Sequence, residues 1–263
     1  MQKEIHVTFT KRFLVWTAIV GVSLFTLPWH IAKIITGSSW VNPKQFAVAI
    51  QNGFLKDLNS NIPTPGYEKS YLTNETQFWF WFHLSKAFIS LILFILIILY
   101  TRELDKNYQF SGSRLLALIH KTKKIALHSL GIFSFLILAA NIQGSIAPLS
   151  SLISFLPANE HDYRLSESVQ KLRLDLLNGD PNSFASSVLR DFSIYHLTTT
   201  VIFGIATLFL FKNLYLSVKN RNYSAIFVAG ILGIGFLLLG VANLGTTLNP
   251  IPAFDGFLSG FSG

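Results

Sequence analysis

Apolar residues concentrate in five stretches of the chain that contain few charged residues. The stretches cover residues 13–36, 77–100, 125–147, 195–215 and 224–246. A helix needs about 20 apolar residues to cross a hydrocarbon core that is about 30 Å thick. The pattern therefore predicts an all-α integral membrane protein, a bundle of about five transmembrane helices.

Two longer segments, residues 37–76 and 148–194, connect the first stretch to the second and the third to the fourth. Each contains apolar residues at spacings of three and four, which is typical of an amphipathic helix. In the first segment Asn42 and Pro43 form a helix start signal. The apolar stripe that follows consists of Phe46, Ile50, Phe54 and Leu58.

The second segment shows two such patterns in succession. The first ends at Asn178 and Gly179, and Asp180 and Pro181 restart a helix that leads into the fourth stretch. The two stripes consist of Leu165, Val169, Leu172 and Leu176, and of Phe184, Val188 and Phe192. Two interpretations stay open. The helices lie on the outer membrane surface or pack over the bundle, or they form a cap that docks a partner or covers a ligand.

The order of spans and long loops predicts a single transmembrane domain over residues 1–263. It also suggests two halves of the same topology, 1–110 and 115–217, followed by a fifth helix over 224–246. The fifth helix carries small residues at intervals of four, namely Ala225, Ala229 and Gly233. Small residues on one ridge let helix backbones approach closely in lipid. We therefore expect this helix to pack tightly, against its own bundle or against another subunit.

Composition supports the membrane interpretation. The chain is 51% hydrophobic and only 13% charged, which departs from ordinary soluble proteins. The sequence contains no cysteine, which excludes disulfides, thiolate metal sites and cysteine nucleophiles.

The distribution of basic residues predicts the orientation. Residues 1–12, 101–124 and 212–221 hold 12 lysines and arginines, whereas the two long loops hold seven. Short basic segments stay on the inner side of a membrane. We therefore expect the amino terminus inside, and the long loops and the carboxyl terminus outside, in the plasma (inner) membrane or an organellar membrane. Topology accounts for the net positive charge, so no nucleic-acid partner is predicted.

Several catalytic classes lack support in the sequence. We find no GxxxxGK[ST] loop, HExxH pair, GxSxG elbow or dinucleotide glycine fingerprint. No aspartate or glutamate lies within the five apolar stretches. Proton-coupled pumps and intramembrane aspartyl proteases depend on such carboxylates, which argues against both classes. No catalytic residue and no metal site are predicted.

Histidines recur at the edges of the apolar stretches. The motif PWHIAK at 28–33 resembles WFHLSK at 81–86 and, more loosely, YHLTT at 195–199. Counting along the spans places the polar residues near the outer membrane interface. The candidate ligand-binding residues are His30, Lys33, His83, Lys86, His196, Asn141 and Asn243.

Three interpretations of these residues stay open. They form an aromatic and polar belt at the interface, in which the lysines reach the headgroups. Alternatively, histidine and lysine at i and i+3 form a cationic rim for an anionic headgroup or a peptide terminus. In the third interpretation the histidines are haem or metal ligands, although adjacent lysines disfavour a cationic metal.

The sequence thus favours a non-enzymatic membrane protein that acts by binding. Its expected partners are the lipid bilayer and other membrane-protein subunits. An accessory or stabilising subunit of a membrane complex, or an immunity or receptor-like protein, fits best. The alternative is a membrane redox or lipid-processing enzyme whose outer histidine site binds haem, metal or an anionic lipid. The sequence assigns no cofactor.

Overall fold

The computed structural model describes residues 2–59, 70–106, 114–153, 155, 163–179 and 183–259. These ranges are helical apart from short turns and connecting residues, and no strand occurs in them. The helices are α1 (Gln2–Thr36), α2 (Pro43–Asn59), α3 (Thr73–Lys106), α4 (Arg114–Ile146), α5 (Pro148–Ile153), α6 (Tyr163–Asn178), α7 (Phe184–Lys219), α8 (Tyr223–Leu248) and α9 (Pro250–Ser259).

Five helices are long and apolar enough to cross a membrane, which confirms the predicted number of such helices. Their candidate spans are Arg12–Thr36, Thr73–Lys106, Ala117–Ile146, Phe184–Lys219 and Ala225–Leu248. Most extend beyond the predicted windows because polar turns continue the helix past the apolar run. With 36 residues, α7 is about 54 Å long, well above the thickness of a hydrocarbon core.

The chain divides into two compact units. Unit 1 consists of Met1–Gly37 and Trp81–Ile142, and unit 2 of Ser38–Phe80 and Gln143–Gly263. The division falls inside α3 and α4, so the units cut across the halves suggested by the order of the spans. Unit 1 thus contains α1 and most of α3 and α4. Unit 2 contains the remaining helices.

Packing of unit 1 centres on aromatic and leucine side chains near one end of its helices. The rings of Phe13 and Tyr100 stack with their centroids 3.9 Å apart, and Leu104 and Leu127 complete this buried cluster. Lys124 forms an exposed ion pair with Asp105 at 2.9 Å. The apolar cluster therefore joins α1, α3 and α4 by hydrophobic burial.

Unit 2 contains a cluster of short helices, α2, α5, α6 and α9, packed with the first turns of α3 and α7. The α2 stripe lies in its core, where Phe46, Ile50, Phe54 and Leu58 are all buried. Asn42 caps α2 through a hydrogen bond from Gln45 N to Asn42 Oδ1 of 3.0 Å. A Cβ atom on Gly53 would lie only 2.6 Å from Leu72 Cδ2, so α2 packs very closely against the turn before α3.

The other stripes are buried in the same cluster. They comprise Val169, Leu172 and Leu176 of α6 and Phe184, Val188 and Phe192 of α7. The structure does not describe the side chain of Leu165. It does not describe Asp180 or Pro181 either. The N-cap of α7 is Ser183, whose hydroxyl accepts from Ser186 N, so the helix start is later than predicted. The sequence patterns did not identify α5 or α9, which contributes buried Phe254 and Leu258.

Among the described residues of unit 2, three carboxylates are buried. Asp57 is 2% exposed, Glu75 is 8% exposed and Asp191 is 2% exposed. Asp191 Oδ2 accepts a hydrogen bond of 2.6 Å from Ser150 N and so links α7 to the start of α5. Glu75 and Asp191 belong to α3 and α7 but lie outside the apolar windows. The apolar windows therefore contain no aspartate or glutamate, as predicted, but the complete helices do contain acidic residues.

Candidate functional site

The first candidate site lies in unit 1, where α3 and α4 share a hydrogen bond between His83 and Asn141. His83 Nδ1 lies 2.9 Å from Asn141 Oδ1. Asn141 is only 4% exposed, whereas His83 is half-buried. Further along the two helices, Ser134 Oγ donates to the carbonyl of Ser90 over 3.4 Å. Two polar contacts thus join the apolar parts of these helices, in addition to the exposed ion pair between Lys124 and Asp105.

The second candidate site lies in unit 2, where α7 and α8 repeat this arrangement. His196 Nδ1 lies 2.6 Å from Asn243 Oδ1. Both side chains are half-buried. Thr200 Oγ1 also donates to the carbonyl of Gly240 over 3.3 Å. Each site therefore combines a histidine and asparagine pair with a hydroxyl to carbonyl bond between the same two helices.

The asparagine amides fix the tautomer of both imidazoles. Asn141 Nδ2 donates to Ile137 O over 2.7 Å, and Asn243 Nδ2 donates to Leu239 O over 2.8 Å. Each amide oxygen therefore faces a histidine, and an amide oxygen can only accept a hydrogen bond. The neutral imidazole must then carry its proton on Nδ1 and its lone pair on Nε2. A histidine held in this way resembles a metal or haem ligand, whose second nitrogen donates to a neighbouring oxygen.

The sequences around the two asparagines match without a gap. GIFSFLILAAN at 131–141 and GIGFLLLGVAN at 233–243 are identical at five of their eleven positions. The glycine that begins each segment faces the partner helix. A Cβ on Gly131 would lie 3.5 Å from Ile97 Cγ2, and one on Gly233 would lie 2.7 Å from Phe211 Cε1. The pair α3 and α4 and the pair α7 and α8 thus share a sequence segment and a pattern of polar contacts.

The immediate surroundings of the two histidines differ. The Phe192 ring lies edge-on to His196 at 4.4 Å and also contacts Phe254 of α9 at 4.9 Å. In unit 1, the Phe82 ring is 5.5 Å from His83 and carries the Lys86 ammonium 5.1 Å from its centroid. His196 thus borders the short-helix cluster, whereas His83 lies next to the contact between Lys86 and Phe82.

His30 is not part of the pair in unit 1. Pro28 and Ala32 are buried, and His30 lies about 200° around the helix from Pro28, at about 100° per residue. Its side chain is exposed. Its neighbour Trp29 instead contacts the Phe82 ring at 6.3 Å. Of the four candidate residues from the first two motifs, the structure thus places only His83 in a hydrogen-bonded pair between helices.

Lys33 is half-buried on α1, and Lys86 lies over an aromatic ring. The small residues of α8 face α7, because Ala229 is 7% exposed and Gly233 contacts Phe211. Ala225 is half-buried one turn earlier. The ridge therefore contacts the neighbouring helix of the same chain.

The sequence identified the four paired residues, His83, Asn141, His196 and Asn243, but not their pairing across 58 and 47 positions. The matching AN dipeptides at 140–141 and 242–243 could have indicated it. In the described part of the chain, no group of three or more histidine and acidic side chains forms a metal site. No protein-family model, curated protein or solved structure matches this chain.

Proposed function

We propose that this chain is an integral membrane protein that acts by binding, without catalysis, as an accessory or stabilising subunit of a membrane complex or as an immunity or receptor-like protein. The observation that carries the proposal is an apolar pair on α6, outside the five candidate spans. Leu174 is 60% exposed and Leu177 is 75% exposed. Neighbouring exposed leucines on such a helix favour contact with another molecule.

The rest of α6 is held in place, so the leucine pair is presented on a fixed surface. Leu172 and Leu176 are buried on the opposite face. Arg173 Nε lies 2.7 Å from Asp255 Oδ1 of α9. Lys171 Nζ also donates to the carbonyl of Leu58 at the end of α2. A preformed apolar surface loses little conformational entropy on binding, which favours a protein partner.

Photo-crosslinking tests this role directly. A benzophenone amino acid at Leu177 should give an adduct of discrete mass with one protein in native membranes. The same probe at Leu208, which is 72% exposed on the span helix α7, should react with lipid. Lipid adducts alone at both positions would contradict a protein partner and indicate an interfacial helix.

The proposal includes the orientation predicted from the basic residues, with the short-helix cluster outside. Because the chain has no cysteine, single introduced cysteines report the side of the membrane without background. Cysteines at the exposed positions Asn59 and Asn178 should react with an impermeant reagent in intact cells. A cysteine at exposed Lys106 should not. Labelling of Lys106→Cys alone would reverse the orientation.

The tautomer of the histidine pairs supports a second candidate, the membrane redox or lipid-processing enzyme. A neutral histidine with its lone pair on Nε2 offers an acceptor, which suits haem iron or a metal and does not suit an anion. This candidate predicts a visible Soret band or bound metal in the purified protein, lost in His196→Leu. His128→Leu is the control, because His128 Nδ1 contacts Lys124 O of its own helix at 2.6 Å. Purified protein that shows neither a Soret band nor bound metal would contradict a haem or metal site and would favour the binding role.

A further inference from the structure

The end of α2 and the first turn of α3 bring two buried carboxyl groups together in unit 2. Asp57 Oδ2 accepts from Ser70 Oγ over 2.7 Å, and Oδ1 accepts from Tyr71 N over 2.9 Å. Burial raises the pKa of Asp57, and hydrogen bonds from Ser70, Tyr71 and Leu72 oppose that rise. Asp57 therefore holds the turn that begins α3.

Glu75 brings a second acidic group to the same place. It is 8% exposed and lies in the first turn of α3, four residues after Tyr71, whose N–H donates to Asp57. Within the described residues, Glu75 Oε2 has no hydrogen-bond partner and forms no ion pair with a basic side chain. Thr76 Oγ1, 6% exposed, also lacks a partner there. Two buried oxygen atoms on adjacent residues of α3 thus lack a hydrogen-bond partner within the described residues.

A buried carboxyl group without a partner for one oxygen either stays protonated or gives up its proton to a bound cation. Carboxylate and hydroxyl oxygens are hard ligands, typical of Mg²⁺ and Ca²⁺. Two carboxylates carry two negative charges, which a divalent cation neutralises and a monovalent cation does not. We propose that Asp57, Glu75 and Thr76 form a divalent-cation site that joins α2 to α3, with water completing the coordination.

The position of this site gives it a structural consequence independent of the binding role proposed above. Asp57 lies one helical turn after Gly53, where α2 packs closely against Leu72 in the turn before α3. A cation at this point would cross-link two elements of the short-helix cluster. Occupancy should therefore raise the stability of the folded state through preferential binding.

Terbium luminescence provides a direct test in the full-length protein. Tb³⁺ replaces Ca²⁺ in oxygen sites, and buried Trp79 lies one helical turn, about 6 Å along the axis, from Glu75. We expect a saturable tryptophan-sensitised Tb³⁺ signal that Ca²⁺ displaces and Na⁺ does not. Glu75→Gln should weaken Tb³⁺ binding at least tenfold, and Thr76→Val a few-fold. Asp105→Asn removes an exposed acid in unit 1 and should leave binding unchanged.

A stability measurement separates loss of the site from loss of the fold. In chelator, Glu75→Gln should unfold at the same temperature as the natural protein or higher, because it replaces a buried carboxyl group that lacks a partner with a neutral amide. Added Ca²⁺ or Mg²⁺ should raise the unfolding temperature of the natural protein only. Equal Tb³⁺ affinity in Glu75→Gln, displacement by Na⁺ as effective as by Ca²⁺, or no saturable signal would overturn the proposal. A lower unfolding temperature of Glu75→Gln in chelator would do so as well.

Discussion

The two histidine and asparagine pairs are built from the same atoms but differ in their enclosure. In unit 1, Asn141 is buried between α3 and α4, and its amide oxygen bonds His83 while its amide nitrogen donates to the Ile137 carbonyl. In unit 2, Asn243 is half-buried, although its amide makes the same two bonds. The hydrogen bonds alone therefore do not distinguish the pairs, whereas burial does.

This difference predicts different roles for the pair of α3 and α4 and the pair of α7 and α8. Breaking a buried hydrogen bond leaves a polar group without water, whereas a half-exposed group recovers a partner from solvent or headgroups. The pair in unit 1 is therefore expected to contribute mainly to stability. The pair in unit 2 borders the short-helix cluster and is better placed to meet a ligand.

The largest expected effect is loss of the buried pair. Asn141→Leu should lower the free energy of unfolding by about 2 kcal/mol, because the His83 N–H then lacks its acceptor in an apolar environment. Reversible unfolding in mixed detergent micelles, followed by circular dichroism, measures this. His83→Leu together with Asn141→Leu should cost less than the sum of the single changes. Additive effects would show that the bond contributes nothing to stability.

An intermediate effect on stability is expected at Gly131 and Gly233, because the two glycines lie at different distances from the neighbouring helix. Gly233→Ala should destabilise by about 1 kcal/mol, because the added Cβ would lie 2.7 Å from the Phe211 ring and overpacking exceeds the gain in helix propensity. Gly131→Ala is the matched control, with 3.5 Å to Ile97, and should be neutral or slightly stabilising. The same unfolding assay compares them. Equal effects would show that the two glycines pack alike.

The smallest stability effect is expected in unit 2. Asn243→Leu should lower the free energy of unfolding by only about 0.6 kcal/mol, near the average for a hydrogen bond between membrane helices. It should nevertheless change ligand or partner binding if this pair is the functional one. A loss as large as that of Asn141→Leu would remove the difference between the pairs.

The fold was largely predictable because it follows from hydrophobic periodicity. The α2 stripe, its Asn42 cap and the five apolar helices each have a local signal in the sequence. The short helix α9 was missed because Pro250 and Pro252 indicate a loop in the sequence. Tertiary packing of buried Phe254 stabilises the helix nevertheless. Buried carboxylates were missed for a similar reason. Nothing in the sequence around Asp57 shows that a turn 13 residues later will enclose it.

The candidate site was predicted in its residues but not in its geometry. Depth along a helix can be counted from the sequence, and this drew attention to the histidines and asparagines. Rotation about the helix axis decides which of them meet, and that depends on packing between helices. His30 illustrates this, since its motif resembles that of His83 but its side chain is exposed on the face of α1 opposite Pro28.

In both pairs, the asparagine oxygen holds the histidine as the Nδ1–H tautomer. Nitrogen-15 NMR of imidazole-labelled protein tests it, with assignments from His83→Gln and His196→Gln. We predict a protonated Nδ1 and a lone pair on Nε2 for both residues, and the loss of this preference at His196 alone in Asn243→Leu. Protonation on Nε2, or rapid exchange between tautomers at either residue in the natural protein, would contradict the claim.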